Sequence, residues 1–424
     1  MLVDPLPLSP PESDSSTGDP LERTKHRYAA VEPDVQAFVE EPNRWERIRI
    51  TLSDSTDSTA TSPLSTVPVG IKDIFHVDGL PTRAGSSIPA PVLTGEEGSA
   101  VRRLRAAGAV ILGKTVTTEF AYFDPGPTRN PWNTNHTPGG SSSGSAAAVA
   151  AGMCPVALGT QTIGSVIRPA AFCGVVGVKP SYDRIPRDGL LPLAPSVDHV
   201  GYFTADVPSA AAVAPILYDT WDPVDGVDVP PRIGVVSGPY LDQAAPDARE
   251  AFHRDVSALE TAGYSIFEVD PFESIEELTS LHHDLVAIET AESVHPYVES
   301  YEDHFSNILL ELIARGRKLP GERLQAARSN RQQLRQKIHA VMDTHELSVL
   351  CSPSAPGPAP EGIDATGDPC MNLPWTHAGL PTVTIPAPTR LDGLPLGFQC
   401  TSRFMDDELL FSLVEGIESR LAQI

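Results

Sequence analysis

A run of glycines and serines that leads straight into an alanine-rich segment is the feature that most restricts the fold of this chain. Residues 138–148 read PGGSSSGSAAA. Glycine allows positive φ and close approach of the backbone, so three serines set between glycines predict a tight turn. The alanines predict a helix over 144–151, whose free N–H groups favour an anion or a developing negative charge. A flexible linker is excluded because an apolar helix follows at once.

The same run contains a G-x-S-x-G pattern at Gly140, Ser142 and Gly144. This pattern matches the nucleophile elbow of α/β-hydrolases, which requires a strand immediately before it. Residues 130–138 read NPWNTNHTP, a loop with two prolines. The sequence therefore argues against an α/β-hydrolase, and no Asp/His spacing supports a Ser-His-Asp triad.

Short apolar strands alternate with helices on both sides of the serine run. Strands are predicted at 67–71, 110–112 and 155–158, and helices at 21–48, 99–107 and 144–151. Helix followed by short apolar strand, repeated, is typical of a layered α/β domain. Residues 247–343 are predicted to be mostly helical, and strands return at 349–351 and 382–385 before a closing helix at 406–421.

Composition and simple sequence patterns indicate the cellular compartment and where the folded domain begins. Residues 1–20 are rich in Pro, Ser and Asp and predict a disordered tail before a single domain over 21–424. No stretch reaches the roughly 18 consecutive apolar residues of a membrane helix, and the N-terminus has no secretory pattern. Five cysteines without a C-x-x-C pair predict neither a disulfide framework nor a zinc site. A cytoplasmic protein without a cofactor is expected.

The chain is strongly acidic, with 55 Asp and Glu against 31 Lys and Arg and a formal charge of −24. Because neutralisation of phosphates supplies most nucleic-acid affinity, this charge predicts no nucleic-acid partner. Only 6 of the 31 cations are lysines. An acidic, lysine-poor surface favours hydration in concentrated salt, so a halophilic host is one interpretation and an ordinary acidic cytosolic protein is the other.

Two further segments carry residues suited to chemistry. Lys72 directly follows the predicted strand at 67–71, and burial there would lower its pKa and suit it to act as a base. Taken alone, a solvent-facing lysine is the simpler interpretation. Residues 158–165 read LGTQTIGS, a turn after a strand, where Ser165 could present its hydroxyl beside backbone N–H groups. Taken alone, this is an ordinary structural turn.

Together, these three segments resemble the amidase signature family. The resemblance runs from residue 67 to about 207 and resumes weakly at 378–381 and 393–399. The residues that carry it include GIKD at 70–73, GLPT at 79–82, LGKT at 112–115, EF at 119–120, NPWN at 130–133, the serine run, CG at 173–174 and VKP at 178–180. The serine-rich region is specific to this family, and residues 160–171, TQTIGSVIRPAA, are most similar to the small malonamidase-type members.

The resemblance implies a large mixed β-sheet with α-helices on both faces, and a Ser–Ser–Lys triad without histidine. It assigns the nucleophile to Ser165, the bridging serine to Ser141 and the general base to Lys72, with a cis peptide before the bridging serine. No metal or cofactor is implied. The remaining implied roles are oxyanion binding by the backbone of Thr162, Ile163 and Gly164, and support by Ser142 and Ser143.

Two positions depart from the common family pattern. Ile163 stands where most members have glycine, and a β-branched residue resists positive φ. With an allowed φ it would still donate its N–H and narrow the pocket; otherwise it would distort the oxyanion hole. Arg168 follows Ser165 by three residues where two is common. It suits a substrate carboxylate through bidentate pairing, with a purely structural pairing as the alternative.

The sequence thus predicts an amidohydrolase that cleaves a small carboxamide to carboxylate and ammonia through an acyl-enzyme. Its expected partner is a small-molecule amide, with no nucleic acid and no membrane, and a homodimer stays open. One alternative is the amidase-type subunit of a tRNA-dependent amidotransferase, which passes ammonia to a partner enzyme. Another is a catalytically silent relative, suggested by Ile163.

Overall fold

The computed structural model describes residues 2–8, 20–54, 63–224 and 231–423. Most of the predicted N-terminal tail lies outside these ranges, as does much of the polar segment that follows residue 54. Residues 2–8 lie against the body of the protein: the Asp4 N–H donates to the Ala150 carbonyl at 3.0 Å, and the Leu8 N–H donates to Ser209 Oγ at 2.8 Å. No helix in the described ranges is long and apolar enough to cross a membrane.

One ten-stranded mixed sheet organises the fold, with strand order β2-β1-β3-β5-β4-β9-β10-β8-β6-β7. Its two ends are parallel and its centre, from β3 through β5, β4, β9 and β10 to β8, is antiparallel. The predicted α/β class with a large mixed sheet is confirmed. The strands are β1 (Pro68–Lys72), β2 (Val110–Thr115), β3 (Val156–Gln161), β4 (Val176–Lys179), β5 (His199–Thr204), β6 (Arg232–Val236), β7 (Ser265–Val269), β8 (Val349–Pro353), β9 (Thr382–Leu391) and β10 (Leu394–Thr401).

Helices cover both faces of this sheet, as the alternation of side chains along the strands shows. Val110 and Leu112 of β2 pack with the alanines of the helix over 143–150, whereas Ile111 between them packs with the helices over 99–106 and 207–217 on the other face. In β3, Ala157 packs on the same face as the alanines and Leu158 packs on the opposite face. The helices are α1 (Pro20–Val35), α2 (Arg44–Asp54), α3 (Ser99–Ala106), α4 (Ser143–Ala150), α5 (Ile167–Cys173), α6 (Val207–Leu217), α7 (Pro246–Thr261), α8 (Ile275–Ser293), α9 (His295–Tyr301), α10 (Asn307–Lys318), α11 (Gly321–Thr344), α12 (Leu373–Ala378) and α13 (Asp407–Leu421).

The first predicted helix is two helices. The sequence predicts one helix over 21–48, but α1 ends at Val35 and α2 begins at Arg44. Gln36 takes a φ of 52°, and the next two N–H groups, of Ala37 and Phe38, donate to the Glu32 carboxylate. A left-handed residue followed by side-chain capping ends a helix, and helix-compatible composition does not reveal it.

The region 247–343 is mostly helical, as predicted, and contains α7 to α10 and nearly all of α11. It also holds β7, which pairs in parallel with β6 at the edge of the sheet. Residues of β7 are mostly exposed or partly buried, so the strand lacks the continuous apolar run by which buried strands are recognised. The sequence therefore missed it.

The three parallel strands β1, β2 and β3 place their carboxyl ends at one edge. Lys72 pairs with Thr115 of β2, and Ile71 pairs with Leu158 of β3. Thr160 and Gln161 close β3 beside Lys72. Because the chain leaves each strand at this edge, the loops that follow β1 and β3 converge there.

Candidate active site

Lys72 is the last residue of β1, and its side chain is fully buried. Its Nζ lies 2.7 Å from Ser141 Oγ and 2.8 Å from Thr160 Oγ1, with the Thr160 carbonyl oxygen at 3.5 Å. Within the described ranges, no carboxylate forms an ion pair with this amine. Burial lowers the pKa of Lys72 well below its ordinary value, and the negative charge of Asp198 opposes the shift.

The three oxygens around Nζ can be satisfied by a neutral amine. A neutral lysine has one lone pair and two hydrogens, and the Thr160 carbonyl can only accept a hydrogen bond. The lone pair can therefore accept from the Ser141 hydroxyl while the two hydrogens face the oxygens of Thr160. This orientation is the one that proton transfer from Ser141 to Lys72 would require.

Side chains of the serine run anchor the turn to the strands. The Ser142 hydroxyl donates to the Thr160 carbonyl at 3.1 Å and accepts from the Thr160 N–H at 3.2 Å, so it holds β3 and forms no hydrogen bond with Lys72. Ser143 Oγ donates to the Val116 carbonyl at 3.3 Å. The peptide between Gly140 and Ser141 is cis. The side-chain contacts fix the position of the Ser141 hydroxyl relative to Lys72.

The turn at 162–165 presents a row of backbone N–H groups. Those of Ile163, Gly164 and Ser165 donate to no acceptor in the part of the chain that the structure describes. The turn is held from behind, because the Gln161 side-chain oxygen accepts from the N–H groups of Val166 at 2.8 Å and Ile167 at 2.9 Å. Free N–H groups on a rigid turn can bind the oxyanion of a tetrahedral intermediate.

Ile163 does not take the strained conformation that the sequence left open. It is absent from the described non-glycine residues with positive φ, and its side chain is buried in an apolar cluster with Met371 and Leu373. Gly164 is the residue that the turn requires to be small, because a Cβ there would lie 2.4 Å from Asn372 Oδ1. The N–H of Ile163 is thus available despite its branched side chain.

Ser165 lies at the end of this turn and is 7% exposed. Its hydroxyl forms no hydrogen bond with the other described residues, including Ser141 and Lys72. The structure therefore joins Lys72 and Ser141 directly and leaves Ser165 on the neighbouring turn with an unengaged hydroxyl. The nucleophile role of Ser165 stays a prediction.

Arg168 is buried and already engaged. Its Nη1 donates to the Gly367 carbonyl at 2.7 Å, and its Nη2 donates to the Gly140 carbonyl at 2.8 Å and to Thr366 Oγ1 at 3.0 Å. Three of its five N–H groups are thus committed to protein oxygens, and its Nε, which has no partner among the described residues, is buried. The placement favours the structural alternative over substrate binding.

The sequence prediction missed three residues that lie beside Lys72 or the turn at 162–165. Thr160 contacts the lysine, Gln161 holds the turn, and Asp198 accepts from the Thr162 hydroxyl at 2.6 Å and from the N–H groups of Leu193 and Ala194 at 2.9 Å each. Thr160 and Gln161 end a strand parallel to the one that ends at Lys72, which is a usable signal. Asp198 directly precedes β5 and lies 36 positions after Thr162, so no local pattern in the sequence indicates their contact.

A cavity of about 600 Å³ lies beside Ile163 and Thr366. Asp364 and Asp368 line it, and Arg315 at its wall is paired with Asp284 at 2.5 Å. Among the described residues, no group of three or more His, Cys, Asp or Glu side chains is arranged to hold a metal ion. The apolar part of the wall comes from Tyr122, Phe123, Val286, Ile308, Leu312 and Leu373.

A mixed α/β sheet with a buried lysine and serine-rich turns at its edge defines a class of enzymes that act on C–N amide bonds. The chain belongs to the amidase signature family: the family model described as Amidase matches residues 19–411. The resemblance inferred from the sequence is confirmed.

Two kinds of protein are represented among those similar to this chain. The first holds glutamyl-tRNA(Gln) amidotransferase subunits: that of Synechococcus sp. (strain WH7803) is 32% identical over 94% of this chain and 93% of its own, and that of Chlamydia abortus is 31% identical over 88% and 86%. The second holds amidases. One solved amidase structure is 31% identical with a TM-score of 0.86, over 95% of both chains. The peptide amidase of Stenotrophomonas maltophilia is 25% identical with a TM-score of 0.80, over 97% of this chain and 98% of its own.

These relatives correct the partner prediction. The sequence predicts a small-molecule amide as partner, from the family resemblance, and no nucleic acid, from the net charge, yet the amidotransferase relatives carry glutamyl-tRNA in their name. The exclusion was wrong because surface charge bears on direct contact with phosphates. It does not exclude that a protein with an acidic surface takes part in a reaction on tRNA.

Proposed function

We propose that this chain cleaves a carboxamide through an acyl-enzyme on Ser165 and works as the amide-cleaving subunit of an amidotransferase. The observation that carries the chemistry is the contact of 2.7 Å between Lys72 Nζ and Ser141 Oγ, in a pocket that disfavours the charged lysine. Because burial favours the neutral form of this lysine, it is suited to accept a proton and start a relay without a histidine.

The proton relay serves two stages, formation of the acyl-enzyme on Ser165 and its hydrolysis. Lys72 accepts the Ser141 proton as Ser141 accepts the Ser165 proton, and Ser165 Oγ forms a bond to the amide carbon. The C–N bond then breaks as the proton returns through Ser141 to the leaving nitrogen, which departs as ammonia. Water attacks the ester by the same relay, releases the carboxylic acid and restores Ser165.

Backbone N–H groups stabilise the negative charge that develops on the carbonyl oxygen. Those of Ile163, Gly164 and Ser165 are free of other acceptors in the described residues, and Gln161 holds the turn rigid. Preorganised donors of this kind contribute about 3–4 kcal/mol each to transition-state stabilisation. Their availability argues against a silent relative.

The proposal for the fate of the ammonia rests on the relatives. Glutamyl-tRNA(Gln) amidotransferase subunits from several bacteria share 28–32% identity with this chain over most of both lengths. Delivery of ammonia to a partner protein that holds an aminoacyl-tRNA acceptor is therefore the first candidate. Release of ammonia to water by a free-standing amidohydrolase is the second, favoured by the amidase structure with a TM-score of 0.86.

Two measurements on the full chain test the proposal. Ammonia release from glutamine, asparagine, butyramide and an amidated dipeptide is compared between wild type and Ser165→Ala, at low salt and in molar KCl because the composition suits concentrated salt. Affinity purification from the native host then shows whether other subunits accompany the chain. Activity that survives Ser165→Ala rejects the chemistry, and an active chain without stable partners favours the free-standing amidohydrolase.

A further inference from the structure

The carbonyl groups of the turn at 162–165 are held by side chains from two distant helices. His282 of α8 places Nε2 3.1 Å from the Thr162 carbonyl oxygen, and Thr376 of α12 donates from Oγ1 to the Ile163 carbonyl at 2.6 Å. The next carbonyl, of Gly164, accepts from the Arg168 N–H of α5 at 3.0 Å. Three successive carbonyls of the turn are therefore fixed, two of them by α8 and α12.

Each fixed carbonyl also fixes the next N–H group. The peptide unit is planar, and in a trans peptide the C=O of one residue and the N–H of the next point in opposite directions. A hydrogen bond to the Thr162 carbonyl thus aims the Ile163 N–H away from α8. The bond from Thr376 aims the Gly164 N–H in the same manner.

The hydrogen-bond partners of His282 determine its protonation. Nε2 faces a carbonyl oxygen, which can only accept, so Nε2 carries the hydrogen. Nδ1 lies 3.0 Å from Nδ1 of His377. Burial first, and the neighbouring His377 and His283 next, lower the pKa of His282 well below its ordinary value. The ring is neutral, so its Nδ1 is an acceptor.

His377 completes the arrangement. Because His282 Nδ1 accepts, His377 Nδ1 carries a hydrogen and donates, which leaves His377 Nε2 as a bare lone pair. Within the described residues His377 Nε2 has no hydrogen-bond partner. This agrees with a nitrogen that carries no hydrogen and therefore needs no acceptor. Burial, with Arg331 nearby, lowers the pKa of His377 to about 3 and keeps it neutral.

We propose that His282 is a positioning residue for the oxyanion turn, and that His377 holds it in the tautomer that donates to Thr162. The inference rests on the proposed acyl-enzyme at Ser165. Both rings are fully buried. Burial of a polar ring is unfavourable unless its nitrogen atoms form hydrogen bonds, and those of His282 do so with Thr162 and His377. The chain His377–His282–Thr162 ends at the peptide that carries the first free N–H.

The test uses the burst of p-nitrophenol from p-nitrophenyl acetate, which reports acylation of the full-length protein without knowledge of the natural amide. His282→Gln keeps an N–H donor near the position of Nε2, whereas His282→Leu removes it. Leu285→Ala, one turn away on α8 and fully buried in the main hydrophobic cluster, is the control for loss of helix packing. Ser165→Ala shows whether the burst belongs to the proposed nucleophile.

We expect His282→Leu to lower the acylation rate constant about 10- to 100-fold with little change in the half-saturating ester concentration, since an oxyanion donor is loosened but not deleted. His282→Gln and Leu285→Ala should stay within about threefold of wild type. A Ser165-dependent burst that His282→Leu leaves unchanged, or that Leu285→Ala lowers equally, overturns this inference alone. A burst that survives Ser165→Ala rejects the proposed function and this inference with it.

Discussion

Lys72 and Ser141 are 69 positions apart in the sequence, yet Lys72 Nζ lies 2.7 Å from Ser141 Oγ in a fully buried pocket. The contact exists because β1 ends at the same edge of the sheet at which the serine run begins α4. Its depth in the protein explains why the pKa of the lysine falls. A buried amine with a lowered pKa beside a serine hydroxyl is suited to accept the proton of that hydroxyl.

Lys72→Ala and Ser141→Ala should each lower kcat by about three or more orders of magnitude, and the double variant should lose little more. The reason is that both residues serve one proton path, so breaking it twice has no further effect. The measurement is kcat for wild type, both single variants and the double variant. Losses that multiply would show that the two side chains act independently.

The rate should rise with pH as Lys72 loses its proton. Burial lowers the pKa of Lys72 well below 10.5, so the rising limb of kcat/KM should have its midpoint far below that value. The profile is recorded with a substrate for which chemistry limits the rate. A profile with no rising limb between the lowest pH at which the protein stays folded and about pH 9.5 would contradict a lysine base.

Lys72→Met should stabilise the protein most at low pH relative to wild type. The pKa of Lys72 is lower in the folded protein, so the unfolded chain binds more protons between that value and 10.5. Wild type therefore gains stability from this group as pH rises, and the variant lacks that gain. Denaturant unfolding at several pH values measures the difference, and a difference independent of pH would mean that the pKa of Lys72 is not shifted.

Arg168→Lys should impair neutral and carboxylate-bearing amides equally. The guanidinium spans the Gly367 and Gly140 carbonyls, which an ammonium cannot reproduce, and each unpaired buried carbonyl costs about 1–3 kcal/mol. kcat/KM for butyramide and succinamate, together with denaturant unfolding, measures both effects. A loss confined to succinamate would restore the role of Arg168 as a carboxylate ligand.

Gly164→Ala should lower kcat more than it changes KM. The added Cβ would lie 2.4 Å from Asn372 Oδ1 and 2.8 Å from Pro369 Cβ, so the turn and its N–H groups must shift. Gly321→Ala is the matched control, because nothing lies within 4 Å of a Cβ at that position. Steady-state kinetics of both variants tests the expectation, and equal behaviour would show that the turn tolerates displacement.

Local patterns in the sequence determined much of the fold. The strand that ends at Lys72, the serine turn and the buried helix after it were all predictable, because strand and helix periods and glycine-rich turns are properties of neighbouring residues. The α/β class and the family followed from the same segments. The helical stretch at 247–343 was also predictable, whereas the edge strand β7 within it was not.

Tertiary structure alone decided which side chains meet. The sequence left open whether Lys72 is buried, whether Ile163 is strained and whether Arg168 faces a substrate, since each depends on strands and loops far away in the chain. The contacts of Lys72 with Thr160 and of His282 with Thr162 span 88 and 120 positions. Such contacts arise from the order of strands in the sheet and the packing of helices on it, which no local pattern encodes.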